Sequence, residues 1–161
     1  AELDVLLQRL EQSADPYYFA IIDQADDRAV GTMALQRVDT ANRVIEDGWV
    51  IYSERLKRSR IATEAQFLLA QYVFETLRYR RYEWKCDALN QASRRAAERL
   101  GFRFEGVFRQ AVVYKGRNRD TAWFAMLDSE WPQIKRRMQR WLAEENFDEQ
   151  GRQRVPLQEM E

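Results

Sequence analysis

Residues 51–65 read IYSERLKRSRIATEA, a run that changes character half-way. Up to Tyr52 it continues an aromatic and β-branched segment, the composition of a strand. From Ile61 onward the apolar positions fall at Ile61, Ala65, Leu68, Leu69, Tyr72, Val73 and Leu77, one face of a long helix. A strand therefore feeds a helix across a short basic junction, in which Arg55, Lys57, Arg58 and Arg60 lie within six residues. A helix start carries unpaired N–H groups and the positive end of the dipole, so it holds phosphates. Cations there oppose the dipole and are unfavourable without an anion. Two readings stand. One is a pyrophosphate cradle to which Thr63 adds a hydroxyl; the other is a solvated basic loop. The run lacks the two glycines and the Lys-Ser/Thr pair of a P-loop, and it is not a dinucleotide fingerprint.

Upstream, Leu3, Leu6, Leu7 and Leu10 predict an amphipathic helix ending near Ser13. Strands are expected at 17–23, 29–38 and 44–52, an antiparallel meander with a turn at Asp26-Asp27-Arg28. Downstream, 80–87 reads as a strand. Asn90 can cap a helix that turns Ala92, Ala96, Ala97 and Leu100 inward and stops at Gly101. Residues 107–115 and 121–128 predict a hairpin around a loop at 115–120. Asp128 or Ser129 caps a last helix, with Trp131, Ile134, Met138, Trp141 and Leu142 inward and Lys135, Arg136, Arg137 and Arg140 outward. From Asn146 the chain is polar and expected to be loosely held. Strands before and after helices imply an α+β chain with a mixed sheet on which helices pack. A single domain is expected over 1–145, followed by a polar tail at 146–161.

Composition narrows the chemistry. The chain has 161 residues, 45% apolar and 32% charged, enough for one folded domain. Lys plus Arg and Asp plus Glu are 26 each, so no net charge draws it to nucleic acid or an anionic membrane. There is no histidine, which excludes imidazole bases, His-ligated metals and Ser-His-Asp triads. The single cysteine, Cys86, can form neither an internal disulfide nor a Cys-rich zinc site, which fits a reducing cytoplasm. No apolar run approaches the roughly 18 residues of a membrane span, and no signal peptide is read. Neither metal, membrane nor nucleic acid is expected as a partner.

Three motifs in order carry a resemblance. Lys57-Arg58-Ser59-Arg60-Ile61-Ala62-Thr63-Glu64-Ala65 is similar to a Gln/Arg-x-x-Gly-x-Gly/Ala pyrophosphate loop followed by Ala-Thr-Glu-Ala. Asn90 and Ser93 form Asn-x-x-Ser, closed by Leu100-Gly101-Phe102 and followed by Glu105-Gly106. Glu46-Asp47-Gly48-Trp49 matches Glu-x-Gly-aromatic on the strand before the loop. From about Tyr17 to Trp131 the sequence resembles the GNAT-fold N-acetyltransferases, in the branch that includes the ribosomal-protein N-terminal acetyltransferases. There are departures. Arg60 stands where the loop has its first glycine, so its backbone must take a compatible conformation and its charge joins the site. Ala97 stands where many members place a proton-donating tyrosine. The family also has a strand before the one read here at Tyr17, and that first strand is expected to be absent.

The resemblance implies acetyl transfer from acetyl-CoA to an amine by direct attack in a ternary complex. Glu46 is the implied base, with a bland alternative in which it only pairs with an arginine; Asp47 turns to the opposite face of the strand. A backbone N–H around Trp49, Val50 and Ile51 is the implied oxyanion donor. Ser93 inherits the protonation of the leaving thiolate, and Asn90 holds the pantetheine arm, caps the helix, or both. Lys57, Arg58, Ser59, Arg60, Ile61, Ala62 and Thr63 are the implied pyrophosphate contacts. Cys86 as an acyl carrier and Tyr114 as a reserve donor are lesser readings; burial and packing are the commoner roles. The acceptor, a protein N-terminus or a small molecule, stays open, as does a homodimer. A non-catalytic acyl-CoA-binding module and an interaction domain using the basic face of the last helix are the competing classes.

Overall fold

The computed structural model describes residues 2–160; the first residue of the expected domain and the last of the expected tail lie outside the described residues. Helix α1 (Glu2–Glu11) leads into β1 (Tyr17–Asp23), β2 (Arg28–Asp39) and β3 (Val44–Tyr52). Then come α2 (Arg60–Gln71), β4 (Arg81–Asp87), α3 (Gln91–Leu100), β5 (Arg103–Tyr114), β6 (Arg117–Leu127) and α4 (Trp131–Leu142). Six strands form one sheet in the order β1-β2-β3-β4-β6-β5. Only β3 and β4 run parallel, joined by the crossover helix α2, so the sheet is mixed as expected. No helix among the described residues is long and apolar enough to cross a membrane.

Aromatic side chains tie the helices to one face of the sheet. Phe74, just past α2, stacks on Trp131 of α4 at 5.3 Å and meets Tyr82 of β4 edge-on at 6.1 Å. Phe102 then packs on both Tyr82 and Trp84. The predicted 61–77 helix narrows to α2 plus one wider π-type turn at Tyr72–Thr76, and Leu77 closes it by donating its N–H to Tyr72 O. Helix α1 forms but buries no side chain; Leu3, Leu6 and Leu7 are exposed.

Two expectations are corrected. The hairpin turns on Lys115 and Gly116, both with positive φ, rather than on a six-residue loop. Its strands are longer than expected because the hairpin's far end runs beyond the rest of the sheet. There Arg117 and Asn118 pair with Tyr114 and Val113 with their side chains in water. The segment after α4 is not loose. Asn146 is buried, donating to the carbonyls of Trp141 and Val155 and accepting the Val155 N–H. Leu157 is fully buried, and Phe147 packs edge-on against Trp141. Polar composition hid these few anchors.

Candidate functional site

The site begins where β3 breaks its own alternation. Against β2, Leu35 pairs with Asp47 and Ala34 with Gly48, but Thr32 pairs with Ile51 and Gly31 with Tyr52. One extra residue is therefore accommodated at Trp49–Val50, a β-bulge in which Trp49 takes a φ of +51°. The bulge switches the phase of the strand. Ile45, Asp47 and Tyr52 face the helices; Glu46, Gly48 and Ile51 face the other way. At the same place the parallel ladder between β3 and β4 stops at Asp47–Trp84, although both strands continue to Tyr52 and Asp87. The edge of β3 that carries Trp49, Val50 and Ile51 is thus left open to another hydrogen-bonding partner. These are the backbone groups expected to hold an oxyanion.

The basic junction follows directly. Ser59 is the N-cap of α2, accepting the Ala62 N–H at 3.1 Å and donating to Leu56 O at 2.7 Å. Two of the four cations are neutralised locally: Arg55 by Asp23 and Asp26, Lys57 by Glu54. Arg58 and Arg60 have no carboxylate partner among the described residues. Arg60 is the first residue of α2 in plain helical conformation, and the left-handed position is Arg58, at φ +59°. The Arg60 guanidinium lies 4.8 Å over the Phe147 ring and donates to Leu142 O.

A cavity of about 560 Å³ opens between the start of α2, α3, and the end of α4 with the segment after it. Arg58, Ser59, Arg60, Ala62 and Thr63 form one side of it, Trp84, Ala96, Arg99 and Leu100 another, and Trp141, Phe147, Gly151 and Gln153 a third. Tyr52 and Gln66 line it as well. Ile61 turns away, into a groove against Phe19 and Met33. Arg99 and the third wall were missed in the sequence. Arg99 donates to Thr63 Oγ1 at 3.1 Å, lies over the Trp141 ring at 4.9 Å, and has no carboxylate partner among the described residues. Burial, then the nearby Arg137 charge, pull it below its ordinary value. Three guanidinium groups without a carboxylate partner among the described residues, around one cavity beside a helix start, have the chemistry that a multiply charged anion requires.

Ser93 and Asn90 sit together on this side of the sheet. Asn90 Oδ1 accepts the Ser93 N–H at 3.0 Å, so it does cap α3. Ser93 Oγ accepts the Trp84 indole N–H at 3.0 Å, so its own proton is the one it can donate, with the Cys86 sulfur within reach as an acceptor. Cys86 is buried beside Ser93, and burial pushes its thiol up, away from a nucleophilic role. Tyr114 is at the hairpin tip, outside the cavity. On α4, Lys135 pairs with Glu75 and Arg137 leans on Arg99 O, so part of the expected basic face is spent internally.

Glu46 lies on the opposite face. Its Oε1 accepts from Gln36 at 2.9 Å, and its Oε2 from Lys85 at 2.8 Å with Arg37 at 3.3 Å. Lys85 also binds Glu83 at 2.7 Å and sits 3.7 Å over the Trp123 ring. Glu46 is thus the centre of a buried ion network, flanked by the exposed Trp49 and Ile51. The two strands that part beyond Asp47 and Trp84 contribute Glu46 to this face and Tyr52 and Trp84 to the cavity on the other.

A family model described as an acetyltransferase (GNAT) domain matches residues 2–103. The putative ribosomal N-acetyltransferase YdaF of Bacillus subtilis is 32% identical over 106 residues, 66% of this chain and 57% of that protein. The probable N-acetyltransferase YjcK of the same organism is 31% identical over 111 residues, 68% of this chain and 60% of its own. The chain thus spans about 57–60% of the length of these two relatives. Among solved structures, a GCN5-related N-acetyltransferase from Brucella melitensis superposes with a TM-score of 0.95 at 56% identity, covering 98% of this chain and 72% of that one. A probable GNAT-family acetyltransferase from Chromobacterium violaceum gives 0.71 at 45% identity, covering 80% and 67%.

Proposed function

This chain belongs to the GNAT acetyltransferase family, and from that premise we propose that it transfers an acetyl group from acetyl-CoA to a primary amine by direct attack in a ternary complex. One observation carries the proposal: the two strands that part, β3 and β4, contribute on one face to a cavity lined by Arg58, Arg60 and Arg99 and bear on the other a buried carboxylate, Glu46. The cavity suits the phosphates of the cosubstrate and the open strand edge suits its amide-bearing arm. Acetyl-CoA supplies the activated acetyl group as a thioester.

The chain's own groups have three tasks. The amine enters from the Glu46 face, and Glu46 takes its proton, giving up one of the donors it holds at rest. Backbone N–H groups at the bulge, Trp49 to Ile51, stabilise developing negative charge on oxygen. Ser93, which accepts the Trp84 indole N–H and so keeps its own proton to donate, protonates the departing thiolate and regains a proton from solvent. No side-chain nucleophile is needed, in keeping with the absence of histidine. The acceptor is a protein α-amine or a small-molecule amine.

Isothermal titration of acetyl-CoA into the protein, with Arg60→Glu alongside, tests the cosubstrate. Saturable binding weakened by the charge reversal supports the reading, and its absence in a folded sample overturns it. Release of free CoA across a panel of amines and N-terminal peptides then tests turnover; binding without release overturns the catalytic part.

A further inference from the structure

Beneath the cavity lies a buried polar cluster that the steps above leave unused. The bulge creates it. Asp47 and Tyr52 are five positions apart, so simple alternation would put them on opposite faces; the bulge turns both toward α2. Gln66 of α2 is buried between them. Its Nε2 donates to Tyr52 Oη at 3.2 Å, and its side chain lies next to the Asp47 carboxyl, where it offsets part of the effect of burial. Asp47 is 3% exposed, and neither of its oxygens has a hydrogen-bond partner; Gln66 Oε1 has none either. Tyr52 and Gln66 both line the cavity. The Gln66 amide fills an acceptor position on the phenol, so the Tyr52 proton is left to donate, and the open side is the cavity.

We propose that Tyr52 is a cosubstrate-binding hydrogen-bond donor aimed into the cavity by Gln66, and that Asp47 is a positioning residue that anchors Gln66 from below. The group it would meet is a carbonyl or hydroxyl oxygen on the arm of acetyl-CoA, so the inference rests on the acetyl-CoA reading. Burial pushes the Asp47 carboxyl up to about 8. At neutral pH it therefore keeps an O–H to give, and Gln66 Oε1 is the acceptor without a partner. The amide is then held at both ends, with Nε2 on Tyr52. Ionisation reverses the demand: a carboxylate attracts the amide N–H away from Tyr52. The Glu46 charge on the next residue adds to the rise at Asp47, after burial. Tyr52 is pushed up to about 12 and Tyr82 of β4 well above its ordinary value, both chiefly by burial, while Glu46 turns to the opposite face.

The test is the affinity for acetyl-CoA, by titration calorimetry from pH 6.5 to 9.5, of the wild-type protein, Tyr52→Phe and Asp47→Asn. Circular dichroism confirms that each is folded. The phosphates of acetyl-CoA are ionised from about pH 7 upward and contribute no slope there. Tyr52→Phe is expected to weaken binding about tenfold at pH 7, the worth of one hydrogen bond. Wild-type affinity falls by a similar factor as pH rises through 8. Asp47→Asn weakens binding less than Tyr52→Phe, and both variants lose the slope, which a merely structural role for either residue would not produce. Wild-type binding that is flat with pH, or Tyr52→Phe binding as tightly as wild type, overturns the inference while leaving the acetyl-CoA reading intact. No binding by folded wild-type protein overturns both.

Discussion

Replacing Asp47 by Asn should stabilise the protein, and by an amount that depends on pH. The carboxyl is buried, with an ordinary value of 3.8 raised to about 8 in the folded state. Between those values the unfolded chain has released the proton and the folded chain keeps it, so unfolding stability falls as pH rises, by about 1.36 kcal/mol per pH unit. Stability from this group is fully present below about pH 4 and is lost by pH 8, above which the cost is level. At pH 7 the accumulated cost has a ceiling of about 4 kcal/mol. Asparagine has the shape of the neutral acid and can still donate to Gln66 Oε1, so it avoids the cost. Urea unfolding of both proteins at pH 4.5, 6, 7 and 8 reads the difference directly, since other titrating groups cancel. It should be small at pH 4.5 and grow to a few kcal/mol by pH 8. A difference that stays constant across that range would show that Asp47 titrates alike in both states and would refute the reasoning.

Arg99→Ala should raise the Kd for acetyl-CoA about tenfold at low salt, with a smaller effect at high salt as screening weakens the lost charge contact; calorimetry at two ionic strengths checks it. Glu46→Gln should lower kcat about a hundredfold with little change in the KM for acetyl-CoA, because Glu46 lies across the sheet from the cavity and Lys85 keeps Glu83 as a partner. Leu157→Ala should cost about 3 kcal/mol in urea unfolding, since the side chain is fully buried. The same variant should weaken acetyl-CoA binding, because the segment it anchors walls the cavity.

The element order and the mixed sheet could be read from residue types because they rest on local signals. The apolar period of α2, the Asn90 cap and the Gly101 stop each act within one element. The bulge could not be read this way. Trp49 has no intrinsic preference for positive φ; its conformation belongs to the bulge against β2, a property of the sheet and not of the residue. Alternation correctly opposed Glu46 to Asp47 but carried no warning that the phase would slip before Tyr52. Arg99 was hidden for a similar reason: its partners, Thr63 and Trp141, lie on other elements. The cations of the junction were legible as a group, whereas their division into paired and unpaired required Asp23, Asp26 and Glu54 to be placed in space.

The third wall of the cavity has a consequence for the order in which the molecule is made. Arg60 reaches the Leu142 carbonyl, 82 positions further along the chain, and rests on Phe147 beyond it. During translation the cradle at the start of α2 emerges long before the ring it leans on. A nascent chain that has folded its sheet therefore still lacks one wall of the cavity, and closing so long a loop carries an entropy cost. On the proposed reading, acetyl-CoA would touch both halves and, by binding only the folded chain, would stabilise the last-made segment.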